Sequence, residues 1–186
     1  DGFSHLISSK WDPPAHTVRL DIMRVARIHF EGGSILRTAR TNLLDEKSIS
    51  GTKRVSPSAD KVNTVTGRLR ELGINCLLTI GGDDTALSAR FLSEAAGEHL
   101  RIVHVPKTID NDLPLPQNQA TFGFSTARFI GSDLVKNLMR DSQTTNRWYL
   151  VTCMGRSAGW LAMSIGQAAG ATVTLIPEEF PEKSSV

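Results

Sequence analysis

The chain has 186 residues, 40% of them hydrophobic and 22% charged, with a net charge of +2. That composition supports a globular core and excludes a disordered or fibrous chain. Its 21 Lys and Arg are scattered rather than clustered, so no nucleic-acid footprint is expected, and no window approaches the roughly 20 apolar residues of a membrane span.

In chain order, the first third is the least regular. "SSKWDPPAH" reads as a proline-containing loop, and "RLDIMRVARIHFEGGS" as a helix stopped by Gly32-Gly33. The polar run "LDEKSISGTKRVSPSADK" is expected to be a surface excursion. "PSADKVNTVTGRLRELG" predicts a helix that starts at Ser58 and Asp60 and stops at Gly73.

From about Leu69, strand-length apolar runs alternate with helix-length segments. The runs are "CLLTI" (Cys76–Ile80), "RIVHV" (Arg101–Val105), "WYLVTC" (Trp148–Cys153) and "TVTLI" (Thr172–Ile176). Helices are expected over "TALSARFLSEAAGE", "TARFIGSDLVKNLMRDS" and "AGWLAMSIGQAAGA". Short β-rich runs without clean alternation, separated by helices, predict an α/β fold with a doubly wound, mostly parallel, Rossmann-like sheet. Residues 1–68 would form one partial lobe with the polar loop, and 69–186 an α/β core. The two cysteines, Cys76 and Cys153, lie in apolar runs and are expected to be buried free thiols in a reducing, cytoplasmic setting.

Doubly wound sheets bind ligands beyond the carboxyl ends of their strands, where "GGDDT", "PKTIDND" and "MGR" all fall. In "GGDDT" the glycines let a phosphate approach backbone N–H groups at a helix start, and an aspartate there can share a magnesium ion with phosphate oxygens. A plain turn with a cap would look similar. In "PKTIDND", Asp110 and Asp112 stand one residue apart on an extended segment and share a face. Two such carboxylates suit a base and an orienting partner, and Lys107 supplies positive charge for a phosphoryl group in transfer. "MGRSAGWLA" repeats the strand–glycine–helix arrangement, with Arg156 able to grip phosphate through its planar fork of donors. Met154 and Trp160 read more readily as core packing than as ligand contacts.

Five segments occur in order: "GGSILRTARTN" (Gly32–Asn42), "GGDDT", "PKTIDND", "TFGFSTA" and "MGRSAGWLA". With them the chain resembles the 6-phosphofructokinases, and most closely their pyrophosphate-dependent branch. The glycine–aspartate signature alone is shared, as "GGDGT", with NAD and lipid kinases, which lack the "TIDND" and "MGR" pieces. The resemblance implies a phosphofructokinase-type fold and phosphoryl transfer to fructose 6-phosphate. It implies Asp110 as the base that takes the proton of the sugar 1-hydroxyl, with Lys107 beside it. Thr108 and Asp112 would contact the reacting groups, and Asp83 would hold Mg2+. Gly82, Asp84, Thr85 and Arg40 would meet the donor. Met154, Gly155 and Arg156 would bind the sugar phosphate, with Arg147 reaching the site of an adjacent subunit in a homo-oligomer, a dimer or tetramer.

Two positions bear on the donor. ATP-using members of the family carry glycine at the positions of Asp84 and Lys107. A carboxylate at Asp84 would crowd and repel the α-phosphate of ATP, by roughly 4 kcal/mol at ~4 Å and an effective dielectric of ~20. Pyrophosphate, having no α-phosphate or nucleoside, avoids that clash. The chain departs from the family at Arg37, where a small glycine is usual. It begins on Asp1-Gly2 and ends on "EKSSV", after a strand-like run, so it is expected to lack pieces at both ends and to be inactive alone. The competing readings are a non-catalytic phosphofructokinase-like subunit or an ATP- or polyphosphate-using kinase of the wider superfamily.

Overall fold

The computed structural model describes residues 2–49, 52–155 and 158–180. One sheet has the strand order β3 (Cys76–Gly81), β4 (Arg101–Thr108), β5 (Phe122–Gly123), and β4 and β5 run parallel. A separate antiparallel hairpin pairs β1 (Leu44–Ile49) with β2 (Thr52–Pro57). The chain divides into two compact units, Asp1–Thr79 with Asp84–His104, and Ile80–Asp83 with Val105–Val186.

The core of the first unit is built by α4 (Ala59–Glu71) and most of α5 (Asp83–Ala96). Val62, Val65 and Leu69 recur at helical spacing on one face of α4, and Ala89, Leu92 and Ala96 do so on α5. Val62, Val65, Leu69, Leu92 and Ala96 bury together with Leu43 and Leu100. Leu43 reaches this core without leaving its N–H unpaired, because the amide donates to the buried Ser88 Oγ at 3.3 Å. As expected, α4 begins after Ser58 and places Asp60 in its first turn, where the helix dipole favours a carboxylate. The short helix α1 (Phe3–Ile7) packs on α4. Arg68 fastens the chain just beyond it, donating from Nη1 to the carbonyls of Leu6 at 2.7 Å and Ser8 at 2.8 Å.

Two expectations fail in this unit. The helix predicted across residues 19–34 is reduced to α3 (Ile22–Val25) and a 3-10 turn at Ile28–Phe30. Its apolar side chains Ile22, Met23 and Phe30 are exposed, and a short helix without an apolar surface to cover is marginal in water. The "SSKWDPPAH" loop contains one short helix, α2 (Pro13–His16), opened by its prolines. The polar stretch expected as a surface excursion includes the β1–β2 hairpin, in register from Leu44 opposite Pro57 to Ile49 opposite Thr52.

In the second unit, α6 (Phe124–Thr145) packs on α7 (Trp160–Ala169) around Val135, Leu161 and Ile165. Ile109, Phe124 and Met139 lean on the same core. The strands predicted at 148–153 and 172–176 carry no strand assignment. Trp148 and Leu150 are 95% and 98% exposed, and β-rich residues make a strand only where a neighbouring strand completes the ladder. Cys76 is exposed and Cys153 half-buried, contrary to the expectation of two buried thiols. Burial raises the Cys153 thiol above its ordinary range.

Candidate active site

In the second unit, the end of β3 and the end of β4 come together. A Cβ added to Gly82 would stand 3.9 Å from Thr108 Cβ, so the glycine backbone lies directly against the "PKTIDND" segment. Asp83, exposed, follows Gly82 as the first residue of α5. Asp84, also exposed, and the half-buried Thr85 continue that first turn, in the stretch grouped with the first unit.

Strand β4 runs further than the apolar pattern indicates, through Pro106 and Lys107 to Thr108. There the chain breaks into a turn. Lys107 is exposed, Ile109 leans into the α6–α7 core, and Asp110 is half-buried. Asn111 takes a left-handed conformation at φ +54°, which asparagine tolerates better than most residues, and Asp112 emerges exposed. The turn is held at several points. The Asp110 N–H donates to Thr108 Oγ1 at 3.1 Å, the Thr121 N–H donates to Asn111 Oδ1 at 2.9 Å, and the Thr121 hydroxyl donates to the Thr108 carbonyl at 2.6 Å. Strand β5 adds its pairing, with Lys107 opposite Phe122 and Thr108 opposite Gly123.

The remaining predicted residues stand elsewhere. Gly155, at φ +152°, lies ahead of α7, and a Cβ there would collide with the Ala158 carbonyl, so glycine is required there. Met154 beside it is exposed, which removes the core-packing role, and Trp160 is half exposed as well. Arg156 lies outside the described residues. Arg147 follows the left-handed cap Asn146 at the C-terminal end of α6. That helix begins at Phe124, whose N–H donates to the Thr121 carbonyl, and its 22 residues carry the chain about 33 Å away. Arg40 is exposed, outside any helix or strand, in the first unit. Arg37 adopts φ +59° in a turn closed by its N–H donating to the Ser34 carbonyl at 3.0 Å.

Sequence reasoning missed two groups. Thr121 stands in the "TFGFSTA" segment, and no signal in the sequence assigns it to the Thr108 carbonyl. Glu178, in the "PEE" turn, accepts the Gly159 N–H at 2.8 Å at the start of α7. Among the described residues, no group of three or more His, Cys, Asp or Glu is placed to hold a metal.

The second unit thus carries a carboxylate-bearing turn at a strand end, with the Gly82 backbone against Thr108 where that turn begins. The chain belongs to the phosphofructokinase family, whose profile (PFK: Phosphofructokinase) matches residues 1–186. It is 52% identical over 182 residues to a pyrophosphate–fructose 6-phosphate 1-phosphotransferase of Thermotoga maritima, covering 98% of this chain and 40% of that protein. A protein of the same name from Naegleria fowleri is 46% identical over 180 residues, covering 97% and 38%. An ATP-dependent 6-phosphofructokinase of Streptomyces coelicolor is 36% identical over 163 residues, covering 87% and 42%. The chain thus spans about 40% of the length of the relatives it matches.

Proposed function

We propose that the protein to which this chain contributes transfers a phosphoryl group from pyrophosphate to fructose 6-phosphate, forming fructose 1,6-bisphosphate. The observation that carries this reading is the pinned turn at the end of β4, in which Asp110 follows two residues after Thr108, the residue that stands against the Gly82 backbone. Asp110 takes the proton of the sugar 1-hydroxyl as that oxygen bonds to the transferred phosphorus. The phosphorus–oxygen bond to the second phosphate breaks, and orthophosphate departs with its charge offset by Lys107. Thr108 and Asp112 contact the reacting groups.

Gly82, Asp84, Thr85 and Arg40 are assigned to the donor, and Met154, Gly155 and Arg156 to the sugar phosphate. Arg147 is assigned to a neighbouring subunit's site in a homo-oligomer; about 33 Å of helix between it and the turn supports a role away from its own Asp110. Residues 1–68 are assigned to the donor-side lobe and 69–186 to the core. A cytoplasmic setting accords with two free cysteines, and no helix among the described residues is long and apolar enough to cross a membrane.

The donor set fits magnesium in one particular way. Asp83 is an exposed carboxylate, no group of three or more His, Cys, Asp or Glu is placed to hold a metal among the described residues, and Mg2+ is commonly held by one or two carboxylates together with substrate phosphates and water. Bound there, the ion would neutralise developing charge on the phosphates. A second reading, ATP as donor, is favoured by the 36% identical relative named as ATP-dependent. Fructose 1,6-bisphosphate formation by the complete protein separates the two: pyrophosphate should support it and ATP at the same concentration should not. Preference for ATP would overturn the pyrophosphate assignment.

A further inference from the structure

We infer that Thr121 and Asn111 are positioning residues that set the Asp110 carboxylate for proton abstraction, an inference that rests on the reading of Asp110 as base. Thr121 is 2% exposed and belongs to neither the acid-bearing turn nor strand β4. Yet it grips the residues that flank Asp110 on both sides. Its hydroxyl donates to the Thr108 carbonyl at 2.6 Å, two residues before the acid, and its N–H donates to Asn111 Oδ1 at 2.9 Å, one residue after it. Thr108 closes the loop, because its own Oγ1 accepts the Asp110 N–H at 3.1 Å.

Strand β5 follows directly: Gly123, at φ +102°, lies opposite Thr108 with its backbone close to Ile109, where a Cβ would stand 3.4 Å from Ile109 Cγ2. The Asp110 backbone is therefore fixed by hydrogen bonds at both flanks and by the half-buried Ile109, which packs on the α6–α7 core. Placement on this scale has kinetic consequences, since a shift of about 1 Å in a catalytic group can cost around 100-fold in rate.

The test uses the complete enzyme with pyrophosphate, magnesium and fructose 6-phosphate. Thr121→Val keeps the side-chain shape and removes the donor; it is expected to lower kcat by about 10- to 100-fold while the KM for fructose 6-phosphate stays within about threefold. Thr121→Ser, which keeps the hydroxyl, is expected to restore kcat to within about threefold of wild type. In an Asp110→Asn background, Thr121→Val should cause almost no further loss, because both changes act through one carboxylate. Should Thr121→Val fail to fold, Asn111→Gly serves instead, since glycine accepts the positive φ and deletes only the Oδ1 acceptor; a several-fold fall in kcat is expected.

Wild-type kcat in folded Thr121→Val or in Asn111→Gly overturns the inference, as does a Thr121→Ser variant no better than Thr121→Val. A double variant whose losses multiply shows that Thr121 acts elsewhere and overturns it too. Full activity in Asp110→Asn sinks the base assignment and this inference together. An inactive Asp110→Asn beside a fully active Thr121→Val sinks the positioning role alone.

Discussion

Gly82 stands against Thr108, with room for a Cβ at 3.9 Å, an ordinary van der Waals separation. Gly82→Ala is therefore expected to leave stability within about 1 kcal/mol of wild type. If the Gly82 backbone faces the donor, the added methyl should raise the KM for pyrophosphate by ~10-fold or more. Unchanged KM in Gly82→Ala would show that the donor does not approach this residue.

Replacing both Asp84 and Lys107 by glycine is expected to improve ATP use relative to pyrophosphate. The change removes a carboxylate that repels an α-phosphate and a cation that offsets the charge of a diphosphate. Because Asp84 is exposed, solvent lowers the repulsion from the roughly 4 kcal/mol of a site at dielectric ~20 towards about 1 kcal/mol in water. The expected gain in ATP-to-pyrophosphate preference is thus at least about fivefold, read from kcat/KM ratios in the complete enzyme. No gain would remove both residues from donor choice.

Arg37 occupies the left-handed region at φ +59°, a conformation that costs a side-chain-bearing residue roughly 1 kcal/mol and glycine little. Arg37→Gly should raise the denaturation midpoint, with a gain of about 0.5–1 kcal/mol. A lower midpoint would mean that the arginine side chain contributes more than the strain costs.

The two thiols should differ in reactivity. Cys76 is exposed, whereas burial raises the Cys153 pKa and so lowers its thiolate fraction at a given pH. Alkylation followed by mass spectrometry should label Cys76 first, with Cys153 catching up as pH rises above the ordinary thiol range. In linkage terms, a folded pKa above the unfolded one gives stability that is complete below the unfolded pKa and is lost as pH rises through the folded value. Any contribution of Cys153 to unfolding therefore appears on the alkaline side. Faster labelling of Cys153 at neutral pH would contradict this.

Local pattern was a good guide where the chain folds on nearby residues. The helix at Ala59–Glu71 follows from Ser58, Asp60 and apolar spacing, and β3, β4 and the long α6 follow from period and composition. A parallel pairing is present between β4 and β5, the latter a two-residue strand at Phe122–Gly123 that the sequence pattern did not indicate. The strands expected at 148–153 and 172–176 were not legible in the same way, because a strand depends on a partner that its own residues do not specify. The helix expected over residues 19–34 fails similarly, for want of a surface to cover Ile22, Met23 and Phe30. At the candidate site, residue types pointed to the Lys107–Asp112 turn. The hold of Thr121 on Thr108 joins residues 13 apart in sequence and left no periodic or compositional trace.

The central claim is that Asp110 is the base. The measurement that tests it most directly is kcat for Asp110→Ser in the complete enzyme, made alongside the dissociation constant for fructose 6-phosphate. A general base contributes ~10²–10⁴-fold, so kcat should fall by that factor while sugar-phosphate binding stays near wild type. A variant that binds fructose 6-phosphate normally and keeps most of its kcat would contradict the account.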